Sequence, residues 1–126
     1  MADKEMTIFI VDDDESILRS VRRLMRSAGY RNIETFASAE DFMRDARIVS
    51  PCMLILDLLL PGMGGIELFR HMRETGFAID TVFISAIENE LEKARKECPE
   101  AIAFLQKPFD MENLLTAVHS VSGADT

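Results

Sequence analysis

The run Cys52-Met53-Leu54-Ile55-Leu56 carries almost no polar side chain before it ends in Asp57. A strand with one face in water alternates apolar and polar residues. A strand apolar on both faces has to be covered on both sides. The run is far too short for a membrane span, and Ser50-Pro51 and Pro61-Gly62 break the chain on either side of it. It therefore reads as a central strand with helices packed over both faces.

The rest of the chain supplies such partners. Residues 6–11 are a short β-branched and aromatic run, residues 32–36 a weaker one, and residues 81–84 and 101–105 two more. Between them lie helical patterns. Ile17, Leu18, Val21, Leu24, Met25 and Ala28 recur at helical spacing, with Gly29 placed to end that helix. Ser38 with Asp41 predicts a capping box for a helix reaching about Ala46. Ile66, Phe69 and Met72 mark a third helix, which Gly76 ends. Residues 88–97 form a poor fourth one, with only Leu91 and Ala94 to turn inward. Met111, Leu114, Leu115, Val118 and Val121 mark the last, with Asp110 as its N-cap. Five strands alternating with five helices predict an α/β fold: a three-layer, doubly wound (βα)5 arrangement around a central five-stranded parallel sheet. At this size the expected strand order is 2-1-3-4-5, the flavodoxin-like one.

The 126 residues fit one domain, 1–126, with its core at about 6–121. With 29% charged residues and a polar N-terminus, MADKEM, the chain reads as neither membrane-bound nor exported, so cytoplasmic. Cys52 and Cys98, outside any CxxC or His cluster, read as reduced structural thiols. The eight methionines read as core filling. A net charge of −8 argues against a nucleic-acid surface. Arg19, Arg22, Arg23 and Arg26 share helical spacing and read first as a solvated helix face.

In an open α/β sheet, ligands bind beyond the carboxyl ends of the strands. Here those ends are Val11-Asp12-Asp13-Asp14, Leu56-Asp57, Ile84-Ser85 and Gln106-Lys107-Pro108. One edge thus receives four acids, a hydroxyl and an ammonium. Clustered carboxylates favour a hard cation such as Mg²⁺. Asp57, held at the end of an apolar strand, is placed to act as a nucleophile toward phosphorus. Lys107 offers a point charge and Ser85 a hydroxyl to the same phosphoryl oxygens. Each residue alone also has a structural reading: the three Asp as turn residues and an N-cap, with Asp14 the best candidate for capping only, and Lys107 as an exposed loop residue. Their joint order at four strand ends favours the chemical reading.

These motifs, IFIVDDD at 8–14, LILDLLLPGMGG at 54–65, VFISA at 82–86 and FLQKPF at 104–109, resemble the response-regulator receiver family of two-component signalling. The resemblance runs from about Thr7 to Val121. It implies that Asp57 is the phospho-acceptor, and that Asp12, Asp13, Asp57 and the backbone carbonyl of Leu59 hold Mg²⁺ (or Mn²⁺). It implies Ser85 as the switch hydroxyl, Lys107 as the family lysine, and a cis peptide before Pro108. It also implies a histidine kinase or phosphotransfer protein as donor. On phosphorylation Ser85 and the aromatic Phe104 move inward, and the face of the fourth helix, fifth strand and fifth helix changes to control an output partner or domain. Phe104 lacks a tyrosine's hydroxyl, so only its packing can report the swing. The poor fourth helix suits a moving part. Such a protein is not an enzyme beyond promoting its own phosphorylation and dephosphorylation. It binds neither nucleic acid nor membrane directly, and is a monomer or a phosphorylation-dependent dimer.

Gly64 stands where the family often has Asp, which is expected to loosen the start of the third helix. The stretch Gly62 to Gly65 lacks dinucleotide-fingerprint spacing and reads as a flexible loop. Leu59 and Ile87, each two residues beyond a site residue, cannot position a hydrolytic water, which predicts a long-lived phosphoryl state. A phosphatase of the haloacid dehalogenase type wants a second Asp where Leu59 stands. An FMN carrier wants a hydroxyl-rich loop where DDDES stands. The stronger rival is a degenerate receiver, a protein-interaction module that is never phosphorylated. The polar tail SGADT leaves open a stand-alone regulator or a piece of a longer one.

Overall fold

The computed structural model describes residues 4–122. Most of the polar tail and the first three residues lie outside them. In chain order the elements are β1 (Thr7–Val11), α1 (Glu15–Ser27), β2 (Asn32–Phe36), α2 (Ala39–Asp45), β3 (Cys52–Asp57), α3 (Gly65–Glu74), β4 (Asp80–Ser85), α4 (Glu88–Glu97), β5 (Ala103–Gln106) and α5 (Met111–Ser122). The strands form one sheet in the order β2-β1-β3-β4-β5, and every neighbouring pair is parallel. The expected fold and strand order are those observed. No helix among the described residues is long and apolar enough to cross a membrane.

Strand alternation sorts the core into two layers. Phe9, Val11, Leu54, Leu56 and Phe83 point to one side, where α2, α3 and α4 cover them with Phe42, Leu68, Phe69, Met72, Leu91 and Ala94. Ile8, Ile10, Met53, Ile55, Val82 and Ile84 point to the other, against Leu18, Val21 and Met25 of α1 and Leu114 and Val118 of α5. β1, β3 and β4 thus fill both layers, as the uninterrupted apolar run of β3 requires. Each fully buried side chain of this size contributes about 1.5–3 kcal/mol.

Helix starts follow local chemistry. Asp14 caps α1, accepting a hydrogen bond from the Ser16 N–H at 2.9 Å. Ser38 caps α2 through the Asp41 N–H at 3.0 Å. Its expected capping box is only half made, because the Asp41 carboxylate pairs with Arg44 instead, at 2.9 Å. Asp110 accepts from the Glu112 N–H at 2.8 Å at the start of α5. Gly29 and Gly76 follow α1 and α3 as expected.

Several details differ from expectation. β3 and β4 each run one residue further, so Asp57 and Ser85 belong to the ladder, opposite Ile84 and Gln106. β5 begins at Ala103, because an edge strand pairs only with β4 and that register opens at Val82↔Ala103. In α3 the buried stripe is Gly65, Leu68, Phe69 and Met72, with Ile66 only partly covered. Met111, expected to face inward, is 40% exposed.

Candidate functional site

Four strand ends converge on one edge, each held by backbone hydrogen bonds. The Asp12 N–H donates to the Phe36 carbonyl at 3.1 Å, the Leu58 N–H to Ile84 at 2.9 Å and the Lys107 N–H to Ser85 at 2.8 Å. The backbone that carries the site side chains is thus fixed by the sheet itself. The carboxylates of Asp12, Asp13 and Asp57 meet here, each offering an oxygen within 4.8 Å of the others. Asp12 and Asp57 are buried and Asp13 is exposed.

Lys107 closes the cluster. Its Nζ lies 2.8 Å from Asp12 Oδ2 and 3.3 Å from Asp57 Oδ2. Asp12 Oδ1 accepts the Asp14 N–H at 2.9 Å, and Asp57 Oδ1 accepts the Leu59 N–H at 3.3 Å. Asp12 Oδ2 makes no hydrogen bond among the described residues, so its ion pair with Lys107 is the contact that holds it.

One ammonium does not balance three carboxylates. Burial, then the neighbouring charge of Asp12, pushes the Asp57 carboxyl up to about 6, against the weaker pull of Lys107 and the Leu59 N–H. Burial alone would lower the Lys107 ammonium. The Asp12 and Asp57 carboxylates outweigh that effect and raise it above its ordinary value. Asp14 stands apart: its hydrogen bonds to the Ser16 side chain and backbone lower its carboxyl, as suits a cap.

Ser85 is buried, and its Oγ accepts the Ile87 N–H at 3.1 Å, within its own turn and not toward Asp57. Phe104 is half-buried. Its ring stacks on Phe83 at 5.8 Å, and the Arg95 guanidinium of α4 lies 5.5 Å from its centroid. Leu59 and Ile87 flank the carboxylates, 47% and 46% exposed. The Lys107–Pro108 peptide is cis, as is Ser50–Pro51.

Two features escaped the sequence reading. The glycines at 62–65 are not simply a loose loop. Gly65 opens α3, and a Cβ there would stand 2.5 Å from the Asp57 carbonyl oxygen and 2.9 Å from Leu58 Cα. Only a residue without a side chain lets α3 start this close to β3. Its sequence signal was a glycine directly before an apolar-periodic segment. Gly64 indeed has no side chain to cap α3, but the Glu67 carboxylate accepts its N–H at 3.3 Å. The second missed residue is Glu40 of α2, whose Oε2 accepts the Met63 N–H at 2.9 Å.

The model of the response regulator receiver domain family matches residues 8–119. The chain belongs to the response-regulator receiver family. This receiver is 38% identical over 121 residues to the response regulator protein TmoT of Ectopseudomonas mendocina, covering 95% of the chain and 54% of TmoT. It is 36% identical to TodT of Pseudomonas putida over the same length, covering 52% of that protein. The chain therefore spans about half the length of these curated relatives. Among solved structures, the response regulator StyR superposes with a TM-score of 0.86 at 38% identity, covering 95% of this receiver and 60% of StyR.

Proposed function

We propose that this receiver is a phosphoacceptor switch, in which Asp57 takes a phosphoryl group from a histidine kinase or phosphotransfer protein. The observation that carries the reading is the Asp57 carboxylate, buried at the end of β3 and bridged to Asp12 by the Lys107 ammonium. The donor set fits a hard divalent cation. Three carboxylates face one ammonium, and among the described residues the buried Asp12 Oδ2 has the Lys107 ion pair and no further hydrogen bond. Mg²⁺ (or Mn²⁺) would be held by Asp12, Asp13, Asp57 and the Leu59 backbone carbonyl. When bound, the cation offsets the charge between the carboxylate and the incoming phosphoryl oxygens.

An Asp57 carboxylate oxygen attacks phosphorus, and the phosphorus–nitrogen bond to the donor histidine breaks. The electron pair stays on the ring nitrogen, and an acyl phosphate remains on Asp57. Lys107, already 3.3 Å from Asp57, follows the negative charge onto the phosphoryl oxygens. Ser85 turns its hydroxyl from the Ile87 N–H toward the same oxygens, giving up the 3.1 Å contact. Phe104 moves into the space this leaves. Arg95 lies over the Phe104 ring, so the movement is felt by α4. The α4–β5–α5 face then changes its fit to an output protein or domain. The single domain acts in the cytoplasm, as a monomer or a phosphorylation-dependent dimer, and promotes only its own phosphorylation and dephosphorylation.

The test is intact-mass spectrometry after incubation with acetyl phosphate and Mg²⁺, on wild type and Asp57→Asn. A single Mg²⁺-dependent phosphoryl adduct, absent from the variant, is the expected result. No adduct on folded wild-type protein would move the assignment to a non-phosphorylated interaction module.

A further inference from the structure

The loop from β3 to α3 carries Leu59, and it is tied down at more places than its glycine content suggests. At its base the Gly65 N–H donates to the Leu58 carbonyl at 3.0 Å. Near α3 the Gly64 N–H donates to Glu67 at 3.3 Å. Between these, the Met63 N–H donates to Oε2 of Glu40 at 2.9 Å. The third tie differs in kind, because it comes from another element: Glu40 sits in the first turn of α2.

Gly62 adds a second observation at the same place. Its φ is +75°, and a Cβ there would lie 2.5 Å from the same Glu40 oxygen. The glycine thus allows the turn and also leaves room for the carboxylate to reach the neighbouring N–H. The loop tip and the Glu40 side chain are shaped to each other, although α2 contributes nothing else to the carboxylate cluster.

We propose that Glu40 is a positioning residue for the cation site: by accepting the Met63 N–H it fixes the loop and so holds Leu59 where its backbone can serve Asp57 and the metal. The proposal rests on the metal-assisted reading above and extends it to α2. Groups that orient first ligands set metal affinity while leaving the ligands themselves unchanged. The effect is therefore read in the affinity for Mg²⁺.

Glu40→Ala and Glu40→Gln test this. Both remove the same charge, but only Gln keeps an oxygen that can accept from Met63, so their difference isolates the hydrogen bond. Glu40 is exposed, and its replacement leaves the core untouched. Mg²⁺ titration followed by amide NMR should give a dissociation constant about three- to tenfold weaker for the Ala variant than for the Gln variant. The Met63 amide should exchange faster in Ala than in Gln. Equal Mg²⁺ affinity in the Ala and Gln variants would overturn the positioning role while leaving the phosphoacceptor reading intact. A wild-type protein whose amides do not respond to Mg²⁺ would overturn both.

Discussion

A carboxyl held near pKa 6 beside two others is a penalty the folded chain carries at neutral pH. The sign follows from which state holds the proton more tightly. The unfolded Asp57 has its ordinary value of 3.8, so between there and about 6 the folded chain binds the proton better. Stability from this group is fully present below the lower value and is lost as pH rises through the upper one. Asp57→Asn cannot ionise and leaves Lys107 its 2.8 Å pair with Asp12. Urea denaturation in the absence of Mg²⁺ should find the variant roughly 1–3 kcal/mol more stable than wild type at neutral pH. The margin should shrink as pH falls toward 4. A second prediction concerns Leu59 and Ile87, the exposed apolar residues beside the pocket. Isolated phosphorylated wild type should lose phosphate several-fold more slowly than a Leu59→Asn, Ile87→Glu double variant, and equal decay would sink the shielding idea. Asp12, Asp13, Asp57, Ser85 and Lys107 were legible as candidates because a parallel sheet gathers its strand ends on one edge. Glu40 was not, because it meets a backbone N–H. A contact with someone else's N–H or carbonyl leaves no pattern in side-chain order.

Among the helices, α4 has less invested in the core than α1. Only Leu91 and Ala94 are buried in it, whereas α1 buries Leu18, Val21 and Met25 and packs Ile17, Leu24 and Ala28 around them. It also starts without a side-chain cap. Native-state hydrogen exchange should therefore show α4 amides opening at lower free energy than those of α1. Leu91→Ala should remove about 2–5 kcal/mol from the global stability, with the α4 amides losing protection first. Protection of α4 equal to that of α1 would contradict a moving role. Periodicity located α4 to the residue, because two apolar positions three apart in a charged stretch admit one helical face. In α3 it found Phe69 and Met72 but missed Leu68, which is buried where Ile66 is only partly covered, because both residues fit helical spacing with the other two. The edge strand β2 was bounded as observed, but β5 was not, since it begins where β4 offers a partner and not where its own apolar run begins.

For the molecule as a whole, the layers and strand order could be read from the chain because one strand apolar on both faces demands helices on each side. The direction of each strand's end then followed. The site carries an excess of negative charge, so a cation bound there should stabilise the entire fold by mass action. At Mg²⁺ tenfold above its dissociation constant, the gain should be about 1.4 kcal/mol, a rise of roughly 3–6 °C in Tm. Thermal melts should show that rise in wild type and lose it in Asp12→Asn. The ion pair between Asp12 and Lys107 has one more consequence. A chain is made from its N-terminus, so the buried acid exists long before the ammonium that neutralises it. While the last strand is unmade, this edge holds carboxylates that repel one another and lacks the ammonium that pairs with them. A prematurely ended copy thus keeps Asp12 and Asp57 without their counter-ion, and an incomplete chain carries its defect as uncompensated charge at the carboxyl end of the sheet.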